Sequence, residues 1–519
     1  MVNRRGYVAL LAFALGGCAE SDETAPDDAL APAAVLARAS LDVRGRRPSI
    51  DELDAIAADP QQLDAMIDGF VDDPAFAGRV AEIFAGAWRT RIDDYPLPEG
   101  AYDDEASAKL SAAIGEEPLS LLAFIADNDL PYTQLVRSTE TFVDPALLEL
   151  WPLVELPDDG TTPPTGLVRA RYSDGRPLAG VLTHNAVFWR HPSTVENANR
   201  GRANALSQAL LCQSYLDRPI DFPSDLDLTD SESIRNAIAT NVACQGCHST
   251  MDPLASYFWG FMYGEPDEPG ASYAVELERA WQLYTGAAPA FFGVPGERME
   301  ELADHLADDE RFIGCAVRRV YQGLLGREPS LDDEGALADH REAFLDGDLT
   351  LRALVRSVLR DPSYRGRAWT PRFGGAPEPV MRKVSPVDVI ARSIATLSGY
   401  ALTHQGRPAS RLDDSLRAIA GGSDRGDTDD VSTGAVLVQR RLAEAGAIHA
   451  FDAAIAGEDG GGTLAPWLAS VDLGGAPSPD DLARLARITR SQTLAPDDPE
   501  LVALGQVWTD VAAIADVRQ

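Results

Sequence analysis

The sequence predicts a mainly α-helical protein built of several packed units, with one short β-hairpin. Its 519 residues, 45% of them hydrophobic, are enough for several cores at about 100 to 200 residues per unit. Strand signals are sparse along the chain. Apolar residues instead recur at one-face helical spacing, as in Val80, Ile83, Phe84 and Ala87, in Met299, Leu302 and Leu306, and in Ile313, Val317, Val320 and Leu324.

The first element is a leader for export. Arg4 and Arg5 precede an apolar run too short to span a bilayer, and the run ends in Leu15-Gly16-Gly17-Cys18. This segment resembles the lipobox of bacterial lipoproteins, so we predict a signal peptide over residues 1–17 and lipidation of Cys18. Ala19 after the cysteine indicates anchoring to the outer membrane, on its periplasmic or cell-surface face. An ordinary signal peptide with an incidental cysteine is the alternative.

The rest of the chain divides by composition and periodicity. An acidic, Ala- and Pro-rich tether precedes the folded units, and a Pro- and Gly-rich linker precedes the last one. The predicted segments are a tether at 18–32, an N-terminal helical unit at 33–118, a second helical unit at 119–232, a central unit with a following helix pair at 233–368, a linker at 369–379 and a C-terminal helical unit at 380–519.

The predicted hairpin lies in the second unit, over residues 166–182. Val168, Ala170 and Tyr172 alternate as in a strand, a turn follows at Ser173-Asp174-Gly175-Arg176, and Leu178 and Val181 would form the second arm.

A weak internal repeat suggests duplication of a helix pair. A Pro-Ser start signal precedes one amphipathic helix and an Asp-Pro signal precedes a second, so each copy needs a neighbour to bury its apolar face. The copies begin at Gly45-Arg46-Arg47-Pro48-Ser49 and Gly326-Arg327-Glu328-Pro329-Ser330, continue at Asp73-Pro74 and Asp361-Pro362, and a partial third begins at Gly475-Ala476-Pro477-Ser478.

The net charge of −36 argues against polyanionic partners, so we predict no binding of nucleic acid. A basic protein partner stays open, although an acidic surface also simply keeps a protein dissolved.

The strongest chemical signal is Ala243-Cys244-Gln245-Gly246-Cys247-His248, because C-x-x-C-H is the attachment sequence of c-type haem. Cysteines three apart lie on one side of a helical turn, and each can form a thioether to a haem vinyl group. The next residue, His248, would be the proximal iron ligand. We therefore predict one covalent haem c in a cytochrome c-like central unit.

Two other uses of these cysteines stay open at this point. Cys244 and Cys247 could form a small disulfide, or they could join His248 and Cys212 in a Cys3His zinc site. Haem is favoured because the export signal directs the motif to the compartment where c-type haem is attached, and because cysteine ligands of zinc would tend to oxidise there.

Cys212 and Cys315 remain once the other cysteines are assigned, and we predict that they form a disulfide. The alternative is two buried free thiols, because the sequence does not show how closely their Cα atoms approach.

Further motifs occur in order along the chain on both sides of the haem motif. They are Leu130-Pro131-Tyr132-Thr133, Thr141-Phe142-Val143-Asp144 with Leu147, Gly180-Val181-Leu182-Thr183-His184, Arg200-Gly201-Arg202 leading to Leu210-Leu211-Cys212, Met251-Asp252-Pro253-Leu254 after the haem motif, and the helix of Cys315 ending at Leu325-Gly326-Arg327. In these motifs the chain resembles the planctomycete-type cytochrome c proteins, which are large exported chains with one C-x-x-C-H among domains of unknown function. The likeness covers roughly residues 119–367. The resemblance implies an exported haem protein with no established reaction.

One departure from the family directly follows Asp252-Pro253-Leu254. The usual Gly and acidic residues are replaced by Ala255-Ser256-Tyr257-Phe258-Trp259-Gly260-Phe261. Such an aromatic run can wall a haem, although packing in a core is its commoner use.

The sixth ligand of the iron has several candidates in the sequence. Met262 is far enough from His248 to fold over the opposite haem face and is the predicted distal ligand. Met299, His184, His191 and an open or water-occupied position are the alternatives. The other histidines lack ligand spacing, and we expect most of them at the surface: His305, His340, His404 and His449.

The favoured function is electron transfer in the periplasm or at the cell surface, with a redox protein as partner. Electron carriage is favoured over catalysis. A haem-free surface lipoprotein that acts as a binding or scaffolding module is the alternative, and a haem peroxidase-like enzyme is the third hypothesis.

Overall fold

The structure is a computed structural model of the whole chain. The residues that it describes are 29–92, 95–217, 227, 229–262, 272–366, 368–369, 378–379, 387–401, 403–404, 407–408, 422–423, 426–427, 433–458, 461–470 and 478–490. The predicted leader and Cys18 lie outside these residues, as does most of the linker at 369–379.

Helices dominate the described chain, which confirms the mainly α fold class. The helices are α1 (Pro32–Arg44), α2 (Ile50–Ala58), α3 (Leu63–Phe70), α4 (Phe76–Trp88), α5 (Asp104–Asp127), α6 (Gln134–Arg137), α7 (Leu147–Leu150), α8 (Asn185–Arg190), α9 (Arg200–Leu211), α10 (Ser231–Thr240), α11 (Val242–Ala255), α12 (Trp281–Tyr284), α13 (Met299–Ala307), α14 (Glu310–Leu325), α15 (Glu334–Asp346), α16 (Leu351–Leu359), α17 (Pro362–Arg365), α18 (Val387–Ser398), α19 (Thr433–Ala456), α20 (Leu464–Ala469) and α21 (Pro479–Arg490). No helix within the described ranges has the length and apolar character needed to cross a membrane.

Strands are short. The first three form one antiparallel sheet in the order β1-β3-β2, and the others form two-residue pairs in chain order. The strands are β1 (Thr141–Val143), β2 (Leu153–Glu155), β3 (Val168–Tyr172), β4 (Ala290–Phe291), β5 (Val294–Pro295), β6 (Ala368–Trp369), β7 (Glu378–Pro379), β8 (Thr403–His404), β9 (Arg407–Pro408), β10 (Gly422–Ser423) and β11 (Gly426–Asp427).

The hairpin expected over residues 166–182 is displaced. Its first arm is β3, but this strand pairs with β1 and β2, both of which precede it in the chain. The expected second arm instead contains a 3₁₀ turn, Gly180–Thr183. Gly180 has a φ of +49°, and its N–H donates to the carbonyl of Ser138 at 2.8 Å. This backbone conformation is incompatible with an extended arm.

One hydrophobic cluster extends from Val35 in α1 to Tyr364 in α17 and contains residues from the three segments between 33 and 368. The first and last parts of this body meet directly. Ala29 forms an antiparallel bridge with Gly366, and the Leu30 N–H donates to the Arg365 carbonyl at 2.9 Å. The helical faces that the sequence predicts point into this cluster, since Val80, Phe84, Leu302, Leu306, Val317, Val320 and Leu324 are all buried there.

The internal repeat has matching local structure. Gly45 and Gly326 end α1 and α14 with positive φ angles of 66° and 73°. Ser49 and Ser330 then form capping boxes with Glu52 and Asp333, respectively. In the partial third copy, the Ser478 hydroxyl accepts from the Asp481 N–H at 3.2 Å at the start of α21. The repeat is therefore a recurring helix-start structure.

The C-terminal helices form a further hydrophobic cluster, to which α19, α20 and α21 contribute Ala450, Trp467 and Ile488, and Ile50 of α2 packs against it.

Cys212 and Cys315 form a disulfide, with their Cα atoms 5.3 Å apart, which confirms the prediction. Cys212 follows α9 directly, in a left-handed conformation with φ 51°, and Cys315 lies within α14. The bond thus ties the end of α9 to a buried helix of the main cluster.

Candidate functional site

Helix α11 begins immediately before the C-x-x-C-H motif. The Asn241 side chain accepts hydrogen bonds from the N–H groups of Ala243 at 2.8 Å and Cys244 at 3.3 Å. An asparagine cap satisfies N–H groups that a helix start otherwise leaves without partners. The cap therefore places the whole motif in the first turns of a helix, where residues three apart share a face.

The thiols of Cys244 and Cys247 are both free and half-buried. A disulfide between them is therefore not formed in this structure. The zinc alternative also fails, because the Cys212 sulfur is bonded to Cys315 and cannot serve as a thiolate ligand. Among the described residues, no group of three or more His, Cys, Asp or Glu side chains is arranged to hold a metal ion.

His248 is oriented by a carboxylate one turn later in the same helix. Its Nδ1 lies 2.9 Å from Asp252 Oδ1. Because a carboxylate can only accept, Nδ1 carries the proton, and Nε2 is the ring nitrogen that can bind iron. A hydrogen bond of this kind is typical of histidines that ligate metals.

Asp252 is itself held by an arginine from α9. Arg200 donates from Nε to Oδ1 at 2.7 Å and from Nη2 to Oδ2 at 2.9 Å, so it binds the carboxylate in a bidentate manner. Burial acts to raise the pKa of Asp252, but the hydrogen bonds from Arg200 and His248 outweigh it and hold the pKa below its usual value. Asp252 is therefore ionised at neutral pH.

The segment after the disulfide flanks the second cysteine. The Tyr215 carbonyl lies 3.9 Å from Cys247 Sγ, and the Tyr215 N–H donates to Asn204 of α9 at 2.8 Å. The next residue, Leu216, is 69% exposed, and Val242, two residues before Cys244, is 81% exposed. Two large apolar side chains are thus uncovered beside the motif, as expected for residues that a bound apolar group would cover.

The aromatic run after α11 packs in the protein interior. Phe258, Trp259 and Phe261 are at most 1% exposed, and the rings of Phe188 and Phe261 stack at 3.9 Å. Buried Arg202 donates to the Phe261 carbonyl at 2.9 Å. Core packing, the commoner use of such a run, is what these residues do.

The candidates for a distal ligand are placed in different surroundings. Met262 is 3% exposed in a small apolar cluster with Ala198, Trp259 and Ala280, whereas Met299 is buried in the main cluster. None of these contacts tests Met262 as an axial ligand, so that role stays a prediction.

Several histidines lie in buried surroundings. Burial lowers the pKa of His191 to about 4 and that of His184 to about 3. Contrary to the expectation of a surface position, His340 is only 4% exposed, and it contacts Ser357 Oγ at 2.8 Å and Asp361 Oδ2 at 3.1 Å. Its partners come from α16 and the cap of α17, so its burial depends on packing that a sequence pattern does not reveal.

A second polar cluster surrounds the buried carboxyl of Glu117 in α5. Tyr172 donates to Oε1 at 2.7 Å, and the Ala186 N–H donates to Oε2 at 3.0 Å. His184 Nδ1 lies 3.9 Å from Oε1. Burial raises the pKa of Glu117 to about 7, against the lowering effect of these hydrogen bonds. The cluster joins α5, β3 and the start of α8.

Sequence reasoning assigned no role to Asp252, Arg200 or Glu117. The role of Asp252 could have been inferred, because it follows His248 by four residues and so lies on the same helix face. No local signal indicates Arg200, which lies 52 residues away and meets Asp252 only because α9 packs against α11.

Comparison with known protein families gives a match that lies on this site. Residues 178–263 match the family model PSCyt3, described as a protein of unknown function (DUF1588). This is a planctomycete-type cytochrome c domain family, which confirms the resemblance for these residues. The matched segment includes α8, α9, α10 and α11. No curated protein and no solved structure matches the chain.

Proposed function

We propose, starting from the planctomycete-type cytochrome c domain at residues 178–263, that this chain is an exported c-type haem protein that transfers electrons in the periplasm or at the cell surface. The observation that carries the proposal is the arrangement on α11, where two free thiols one turn apart precede a histidine whose Nδ1 is held by Asp252.

The residues present fit a covalent haem. Cys244 and Cys247 would hold it through two thioether bonds, and His248 Nε2 would be the proximal ligand. Leu216 and Val242, which are exposed beside the motif, would be covered by its apolar surface. A bound haem c supplies one reversible one-electron step at its iron, so the partners would be a one-electron donor protein and a one-electron acceptor protein.

The first experiment tests whether haem is attached covalently to the protein. The protein should be made in a host with a cytochrome c maturation system, denatured, and stained for haem on a gel. Thioether bonds survive denaturation, so the wild type should stain and give an alkaline pyridine-haemochrome spectrum. Cys244→Ala with Cys247→Ala should remove the stain. Cys212→Ala with Cys315→Ala is the matched control, because it also removes two cysteines but leaves the motif intact.

His248→Ala should change the visible spectrum through loss of the proximal ligand, even where covalent haem remains. A wild-type protein without haem by mass would overturn the electron-transfer proposal and favour the haem-free scaffold. Rapid peroxide turnover by the haem form would favour the peroxidase-like alternative instead.

Met262 is the proposed distal ligand. If it binds the iron, the oxidised protein should have the long-wavelength charge-transfer band of methionine-ligated haem, and Met262→Ala should abolish that band. Met299→Ala is the control, since Met299 is equally buried, at 3% exposed, but packs in the main cluster. A band that survives in Met262→Ala would exclude this ligand.

We also propose that Cys18 anchors the protein to the outer membrane through lipid. Cys18→Ser should abolish acylation, and after a salt wash the protein should move from the membrane pellet to the supernatant. Unchanged retention of the variant would contradict the lipobox interpretation.

A further inference from the structure

We infer that Asp252 and Arg200 together set the electron-donating strength of His248, and thereby the reduction potential of the haem that the proposed function requires. Asp252 acts through the histidine, and Arg200 acts through Asp252. Both are positioning residues, and neither is an iron ligand. The inference rests on the proposed function, and its test is separate from the test for haem.

The geometry links the three side chains in series. Asp252 Oδ1 is shared between His248 Nδ1 at 2.9 Å and Arg200 Nε at 2.7 Å, and Oδ2 receives the second bond from Arg200. Arg200 is fixed further by a bond from Nη1 to the Glu196 carbonyl at 3.2 Å. With Asp252 only 7% exposed, solvent screens these contacts weakly.

A carboxylate that accepts the Nδ1 proton makes the imidazole a stronger donor at Nε2. Stronger donation stabilises the oxidised iron more than the reduced iron, so it lowers the reduction potential. The guanidinium of Arg200 opposes this effect, because it draws the negative charge of Asp252 away from the histidine. Loss of the Asp252 charge and loss of the Arg200 charge should therefore shift the reduction potential in opposite directions.

This opposition distinguishes an electronic role from a structural one. If the pair only braced α9 against α11, loss of either partner would loosen the same contact, and both variants would change the protein in the same way. Asp252→Asn keeps the shape and the accepting oxygen but removes the charge. Arg200→Gln removes the cation and keeps a polar side chain.

The experiment is a potentiometric titration of the full-length haem protein and its variants. We expect the midpoint potential to rise in Asp252→Asn and to fall in Arg200→Gln. Asp252→Glu, which keeps the negative charge, should return the potential towards that of the wild type. The matched controls are Glu232→Gln and Arg235→Gln, which remove the same charges from exposed positions on the adjacent helix α10 and should shift the potential less.

Haem content is measured first by pyridine haemochrome. A wild-type protein without haem would overturn the proposed function and this inference with it. Haem-loaded Asp252 and Arg200 variants whose potentials move in the same direction, or no further than those of the controls, would overturn the inference alone.

Discussion

Tyr364 donates a hydrogen bond from its hydroxyl to Asp42 Oδ2 at 2.9 Å, across 322 positions of the chain. Asp42 lies in α1 and Tyr364 in α17, the two ends of the main cluster. Both residues are buried, and Arg38 donates to the Tyr364 carbonyl at 2.7 Å beside them. A polar contact thus joins the first helix of this body to its last.

Tyr364→Phe should lower the free energy of unfolding by about 1–3 kcal/mol, because it removes a donor from a buried carboxylate. The change should be measured by chemical denaturation at neutral pH. Tyr102→Phe is the matched control, since Tyr102 is 37% exposed and its loss should matter by less than about 0.5 kcal/mol. Equal effects of the two substitutions would mean that the contact with Asp42 contributes nothing.

Gly180→Ala should destabilise the protein strongly, by about 3 kcal/mol or more. A Cβ at this position would lie 2.1 Å from the Leu135 carbonyl oxygen, and the φ of +49° already favours glycine. Gly175→Ala separates the two effects, because Gly175 has a φ of +83° but no atom within 4 Å of the added carbon. That variant should lose only about 1–2 kcal/mol. Comparable unfolding midpoints for the two variants would contradict the steric argument.

Glu117 should make stability depend on pH between about 4.5 and about 7. Its pKa is raised by burial from 4.5 to about 7 in the folded protein, so folding favours the protonated form. The stabilisation is complete below pH 4.5 and is lost as pH rises through 7, by about 3 kcal/mol at about 1.4 kcal/mol per pH unit. Tyr172, His184 and Arg176 surround the carboxyl and share this environment.

Glu117→Gln should remove this dependence. The stability of the wild type relative to the variant should fall as pH rises from 4.5 to 7 and stay constant above it, as measured by denaturation at each pH. The exposed Glu342→Gln is the control and should follow the wild-type profile. A constant difference between wild type and Glu117→Gln across this range would show that Glu117 does not titrate there.

Replacing both Cys212 and Cys315 with alanine should cost about 2–5 kcal/mol of stability, since the bond closes a loop with a sequence separation of 103. In the wild type, an alkylating reagent should modify these two cysteines only after reduction and denaturation, as read by peptide mass. Modification of both without reduction would contradict the bond.

Much of the helical structure follows from periodicity, because α4, α13 and α14 bury the apolar faces that the spacing of Val80, Leu302 and Val317 indicates. The hairpin was misplaced for a physical reason. Leu178 and Val181 fit a strand pattern, but the backbone turns at Gly180, where the Leu135 carbonyl packs too closely for a side chain. A non-local contact of this kind leaves no local pattern.

The C-x-x-C-H part of the candidate site can be read from the sequence alone, since Cys244, Cys247 and His248 lie within one short motif. The side chains that orient His248 could be predicted only in part. Asp252 follows His248 by one helical turn, but Arg200 reaches it only through the packing of α9, whose end is tied by the Cys212 disulfide. Side chains brought together by tertiary packing require the three-dimensional structure.

The bridge between Ala29 and Gly366 has a mechanical consequence. Residues 29 and 366 lie next to each other although they are far apart in the sequence. A force applied between residues 29 and 366 would act directly on this junction. Tension would then peel apart the contacts of Ala29, Leu30 and Arg365 before it reached α9 or α11. Helix α11, which contains the C-x-x-C-H motif, would thus be shielded from a force applied between these two residues.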